Sequence, residues 1–217
     1  LWQRAYWYDR MTLAHAALSA AKLIPDWKAV STFARNIAWI YFYQGDNLRA
    51  LFWAEEALSA TTKTEDNLLI AAAKRSLGAV ELRLGNFDRS EKFLLEVLQT
   101  SEEFAYDDYG IYSKGFAEYG LGDLEYERGN IGAAREWYQK ALDTWQDPVR
   151  KDPIRHVSLA LNGLGFVALE EKRFEDAKRL FLDSIQSAEE FGRIEELAKG
   201  QLGLASVYLE TGSDLKT

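Results

Sequence analysis

Two glycine doublets, Gly120-Leu121-Gly122 and Gly163-Leu164-Gly165, are the first residues in this sequence that could do chemistry. Closely spaced glycines let backbone amides approach a phosphate. Neither doublet continues into Gly-x-x-x-x-Gly-Lys, and both recur at one position of a repeated unit, so close helix packing accounts for them better. His15 and His156 lie far apart in sequence, and a metal or acid–base site needs convergent partners that neither has nearby. Acidic pairs are plentiful: Glu55-Glu56, Glu102-Glu103, Asp107-Asp108, Glu170-Glu171, Glu189-Glu190 and Glu195-Glu196. Neighbours on a helix point about 100° apart, so these do not face one another as an acid pair and read as solvated surface. There is no Ser-His-Asp grouping, and the absence of cysteine removes both disulfides and thiolate metal sites. The expectation is a chain with no cofactor, no metal and no catalysis.

Composition narrows the partners instead. The net charge of −8 argues against nucleic acid, whose affinity rests on Lys and Arg neutralising phosphates. The longest apolar run, Ile37 to Tyr43, is too short to cross a bilayer. The opening Leu1-Trp2-Gln3-Arg4 has neither an initiator Met nor a signal-peptide layout. The chain is expected to be a piece of a larger cytoplasmic protein.

What positions the side chains is a repeat. Tyr43-Gln44-Gly45-Asp46, Arg83-Leu84-Gly85-Asn86, Glu127-Arg128-Gly129-Asn130 and Glu210-Thr211-Gly212-Ser213 all read as one helix ending and the next beginning. Gly takes a left-handed conformation cheaply, and the Asp, Asn or Ser behind it is expected to cap the following helix. Lys172-Arg173-Phe174 stands where a fifth junction is due, without the Gly, and the intervals are 40, 44, 43 and 40 residues. Upstream come Leu77-Gly78, Leu121-Gly122 and Leu164-Gly165, with Ile37-Ala38 and Leu204-Ala205 as looser copies; downstream come the small residues Ala50, Ser90, Ala134 and Ala177. Small residues at both places let paired helices approach closely.

The predicted elements are an unpaired second-type (B) helix over 4–23, then A/B pairs at 27–44 with 47–61, 66–84 with 87–103, 108–128 with 131–145 and 154–171 with 174–190. A last A helix covers 194–211. Pro25, Pro148 and Pro153 fall between a B helix and the next A helix, where a break is expected. The fold class is all-α: one right-handed superhelical α-solenoid of antiparallel helix pairs over 1–217. Arrays that begin and stop mid-repeat leave apolar faces bare, so end-to-end self-association is expected through Trp2, Tyr6, Trp7 and Leu13 at one end and Leu204, Val207 and Tyr208 at the other.

Gly followed by Asn and an apolar residue, a small residue downstream and Leu-Gly upstream resembles the tetratricopeptide repeat. The resemblance is strongest from Gly129-Asn130-Ile131 through Trp137-Tyr138-Gln139-Lys140-Ala141-Leu142. The period exceeds the usual repeat of about 34 residues, implying longer helices or loops. With Tyr6-Trp7-Tyr8-Asp9-Arg10 and Asn36-Ile37-Ala38-Trp39-Ile40-Tyr41, the array is similar to the C-terminal sensor repeats of bacterial NB-ARC or NACHT-type signal-transduction ATPases and of MalT-type activators. That resemblance implies a module that binds a protein or peptide and so controls a signalling partner. The alternative is a free-standing scaffold or assembly factor of the same repeats.

In such arrays the A helices line a concave groove. Placed on that pattern, the groove residues are Arg35, Asn36, Trp39 and Tyr43, then Arg75, Ala79 and Arg83, then Tyr119, Asp123, Tyr126 and Glu127, then Asn162, Phe166 and Glu170. Aromatics among Arg and Asn suit an extended peptide, and each aromatic has a second reading as packing between helices. Chaperone-binding members hold a terminal carboxylate with Lys and Asn; here Trp39 stands where that Asn would be, a departure from that mode.

Overall fold

The computed structural model describes residues 2–104, 108–146 and 156–212, with side chains from residue 8 in the first stretch and from 110 in the second. The described residues form ten helices: α1 (Trp2–Leu23), α2 (Trp27–Tyr43), α3 (Asn47–Thr61), α4 (Asn67–Arg83), α5 (Phe87–Glu103), α6 (Asp108–Glu127), α7 (Ile131–Trp145), α8 (Val157–Glu170), α9 (Phe174–Glu190) and α10 (Ile194–Thr211). The long period is realised in long helices, 17 residues each in α2, α4, α5 and α9 and 20 in α6. Pro148, Pro153 and Ser213 lie outside the described residues.

The turns explain the boundaries. Gly45, Gly85 and Gly129 take φ of 78°, 76° and 78°, and Lys172 takes 57° at the junction that lacks glycine. The next residue closes the turn by donating its backbone N–H to a carbonyl five residues back. Asp46 bonds Tyr41 at 2.9 Å, Asn86 bonds Glu81 at 2.9 Å, Asn130 bonds Glu125 at 2.8 Å and Arg173 bonds Ala168 at 2.8 Å.

Side-chain capping is split. Asp26, Asp46 and Asp66 accept from the backbone N–H of Ala29, Arg49 and Leu69 at 3.0, 3.0 and 3.1 Å. Asn86 and Asn130, expected to do the same, do not. Their amides reach back instead, each donating to the carboxylate of Glu81 or Glu125 at 2.7 Å. A bond to an ionised carboxylate is stronger than one to a neutral partner, so the amide is drawn to the preceding helix. At the first junction the equivalent residue is Tyr41, no carboxylate competes, and Asp46 caps.

Two compact units form, Leu1–Ser113 and Lys114–Thr217. In the first, α1 packs on α2, α2 on α3, α3 on α4 and α4 on α5, and the A helices α2 and α4 also touch. In the second, α7 packs on α8, α8 on α9 and α9 on α10, and α8 touches α10. Each unit has its own core: Leu18, Val30 and Ile37 lie in one, Tyr138, Trp145, Leu164 and Phe181 in the other.

One contact recurs within both. A small residue on the A helix meets the B-helix residue sixteen positions on. A Cβ at Gly78 would stand 2.9 Å from Leu94, at Gly122 2.5 Å from Tyr138, and at Gly165 2.6 Å from Phe181; Ala38 and Ala54 share a cluster in the same relation. Close approach therefore demands glycine wherever the B-helix residue is large. The doublet Gly163-Leu164-Gly165 serves two neighbours at once, Gly163 admitting the Tyr138 ring on α7 and Gly165 the Phe181 ring on α9.

Candidate functional site

In the first unit, α2 and α4 build a face of arginines and aromatic rings. Trp39 and Tyr43, one turn apart on α2, have ring centroids 5.9 Å apart, and Phe42 lies edge-on to both at 5.1 and 5.6 Å. Arg83 of α4 lays its guanidinium over Phe42 at 4.8 Å. Arg75 is 8% exposed and sits over Tyr112 at 4.9 Å and Trp39 at 5.9 Å. Rings behind a guanidinium hold it flat and displace water from it. Arg35 and Trp39 are half-buried, while Asn36, Tyr43 and Arg83 are exposed. These six expected residues therefore share two touching helices.

In the second unit the A-helix side chains are tyrosines and carboxylates. Tyr138 of α7 donates its hydroxyl to Asp123 at 2.7 Å, and Tyr126 donates to Glu170 at 3.3 Å. Burial, then the Glu170 charge, pushes the Tyr126 phenol up to about 12. Burial, then the Asp123 carboxylate, also raises the Tyr138 phenol well above its ordinary value. Tyr119 packs at 5.6 Å from Tyr138 and joins the core around Trp145, whereas Glu127 is exposed.

Two residues expected on this open face are used for packing. Asn162 is 3% exposed, and its amide donates to the Glu196 carbonyl at 2.9 Å, tying α8 to α10. Phe166 stacks edge-on to Phe181 at 5.0 Å in a core cluster. The acidic pairs are not uniformly solvated either, since Glu196 is buried and pairs with Arg193. The histidines pack among rings: His15 is 5.2 Å from Trp53, and His156 is 4.6 Å from Phe116 and 5.6 Å from Trp145.

Phe42 and Tyr112 were not among the expected face residues. Tyr112, Tyr119 and Tyr126 follow one another at seven-residue spacing, a stripe on one side of α6 from which Tyr112 could have been read. Phe42 is hidden in the unbroken apolar run at the end of α2, where periodicity does not say which ring faces outward.

The tetratricopeptide repeat family model matches residues 69–147. No curated protein sequence matches the chain. Among solved structures, the chain is similar to BtubC (BKLC) from P. vanneervenii at 17% identity and TM-score 0.70, covering 95% of this chain and 85% of that one. A Rap protein complexed with Competence and Sporulation Factor is similar at 16% identity and TM-score 0.70; 97% of this chain aligns, spanning 61% of that protein. A Podosopora anserina putative kinesin light chain with nearly identical TPR-like repeats aligns at 16% identity and TM-score 0.57, covering 82% and 85% of the two chains. The fold is thus the all-helical, consecutively paired arrangement of tetratricopeptide-like proteins. Among the described residues no helix is long and apolar enough to cross a membrane.

Proposed function

We propose that this chain binds a protein or peptide segment on its A helices and acts by binding, not catalysis, as the sensor or interaction module of a bacterial cytoplasmic signalling protein. The observation that carries the reading is the α2–α4 face, where Trp39, Phe42 and Tyr43 offer aromatic surface, Arg75 lies over Trp39, Arg83 lies over Phe42, and Arg35 stands one turn before Trp39 on α2. Aromatic and Arg side chains are the types that supply most binding energy at interfaces. The Rap structure, holding its factor on a similar fold, supports the reading by analogy. The Leu-Gly and Gly-Asn register runs through both units, which supports one array over 1–217.

Selection of a random peptide library on the intact chain tests this. Sequence-selective peptides should emerge, and Trp39→Ala should weaken them by about 2 kcal/mol, about thirtyfold. Failure to select any peptide, or binding indifferent to Trp39, argues against the face. The scaffold alternative is separated by the reading frame: an adjoining nucleotide-binding domain favours the sensor.

A further inference from the structure

We propose that the outer side of α3 docks a short amphipathic helix of a partner protein, which lays an uncharged edge of apolar side chains over Leu48 and Phe52. This surface stands on a B helix, separate from the α2–α4 face. It adds a second attachment point to the function proposed above and does not depend on it.

The repeat supplies its own comparison. Ala54 and Ala57, on the buried side of α3, cluster with Ala38 and Ala34 of α2 and with Leu77 and Ala73 of α4. Leu48 and Phe52 project from the opposite side and are 74% and 55% exposed. Counted from the residue before each B helix, their two places hold Asp88 and Lys92 on α5, Gly132 and Glu136 on α7, and Glu175 and Arg179 on α9. All six are exposed, so the repeat accepts charge at these places and does not require large apolar residues there. Exposed apolar residues standing singly are ordinary, and Leu95 and Leu182 are of that kind. On α3 two stand on successive turns, and the Phe52 ring lies edge-on to Trp53 at 5.2 Å, which widens the pair into a patch.

Geometry and charge define the occupant. Leu48 and Phe52 are four residues apart, about 6 Å along the axis, the spacing at which another helix presents its own i and i+4 side chains. α1 runs beside α3, with His15 edge-on to Trp53 at 5.2 Å and Lys22 4.0 Å from Glu56. A trough between two such helices accepts the ridge of a third. Charges bordering the patch are matched within the chain: Arg49 with Asp46 at 2.6 Å, Glu55 with Arg89 at 3.7 Å, and Glu56 with Lys22. A charged edge would lose its hydration there without gaining a partner, so the contacting edge is apolar. Size separates a short segment from a second copy. The exposed parts of Leu48 and Phe52 come to on the order of 200 Å², against about 800 Å² per partner in a standard stable interface.

Fluorescence anisotropy of the intact chain tests the proposal with two labelled 18-residue helical peptides of one composition. One carries four leucines along a single edge, with Glu/Lys pairs on the opposite side; its isomer scatters the leucines around the helix. The edge peptide should bind at least tenfold tighter than the isomer, and raising NaCl from 0.05 to 0.5 M should not weaken it. The double variant Leu48→Asp, Phe52→Lys, which carries the residues α5 has at these places, should weaken it at least tenfold with unchanged helical circular dichroism. Trp39→Ala should leave it unchanged. Equal binding of the two peptides, or none, overturns the proposal, as does a threefold loss in high salt. Binding insensitive to the double variant places the peptide on other apolar surface and overturns it too. Weakening by Trp39→Ala would put the peptide on the A helices, overturning this site while leaving the A-helix reading standing. A lower mass for the double variant in light scattering would show that a second copy occupies the patch, and would overturn the choice of a partner helix.

Discussion

Replacing Gly122 by alanine adds one methyl group where α6 meets α7, and the same change at Gly132, ten residues on, adds it to open surface. In a helix interior the substitution ordinarily stabilises by about 1 kcal/mol, through reduced backbone freedom of the unfolded chain. Gly132 is the second residue of α7 and a Cβ there meets nothing within 4 Å, so Gly132→Ala should realise part of that gain. At Gly122 the new carbon would stand 2.5 Å from Cδ1 of Tyr138, against about 3.5–4.0 Å for a relaxed carbon contact. The Tyr138 ring has little room to yield. A Cβ at Gly163, on its other side, would be only 2.7 Å away, and its hydroxyl is tied to Asp123 at 2.7 Å. Overpacking of this kind costs about 1–3 kcal/mol, and displacing the ring adds about 1 kcal/mol for the lost hydrogen bond. The two variants should thus move in opposite directions, separated by about 2–4 kcal/mol. Urea unfolding followed by circular dichroism reads this as a shift in midpoint at unchanged slope. Stabilisation by both substitutions would refute the packing account. A shift of the Gly122→Ala midpoint on adding Mg²⁺ and ATP would return the glycine doublets to phosphate binding.

Lys172 holds φ of 57° where the other junctions place glycine, so Lys172→Gly should stabilise by about 1 kcal/mol, measured by the same unfolding experiment. The Tyr126 phenol, held up to about 12 by burial and Glu170, remains protonated when the unfolded chain has begun to ionise near pH 10. The stability it contributes is therefore full below about pH 10 and falls as pH rises toward 12, because the unfolded state sheds a proton that the folded state keeps. Phenolate absorbance should show one late-titrating group fewer in Tyr126→Phe, and that variant should lose less stability across the window. Val207, expected to be bare at this end, is buried beside Phe181 with Leu204 packed on the same cluster, because that side of α10 faces α9; Ile194, Leu202 and Leu209 lie exposed instead, so the chain should self-associate in concentrated solution through them. Light scattering should show a lower mass for the Leu202→Glu, Leu209→Glu double variant, and a strictly monomeric parent chain would contradict the expectation.

Helix ends were legible because a handful of residues with strong local preferences mark them. Gly45, Gly85 and Gly129 adopt the positive φ their type favours, and the three-residue turns follow. The small-residue pairs were legible for a similar reason: Gly78, Gly122 and Gly165 recur in phase with Leu94, Tyr138 and Phe181. Where two local preferences compete, sequence spacing does not name the winner. Asn86 had a helix to cap and a carboxylate to bind, and the carboxylate five residues back took its amide. Side-chain direction at the edge of a helix's buried face is equally undetermined by period. Asn162 was expected on the open face, yet small rotations of α8 decide between solvent and α10, and it turned to the Glu196 carbonyl. Arg75 shows the same limit from the other side, since burial to 8% exposure depends on Tyr112, which belongs to the start of another helix.

Amide hydrogen exchange on the intact chain, with and without a peptide selected from the library, shows whether the A helices are the binding surface. A peptide bound on the A helices should add protection there, with α2 and α4 among those that respond, and little change in α3, α5 and α9. Protection confined to those B helices, or a bound peptide that leaves every A helix unchanged, would contradict that reading.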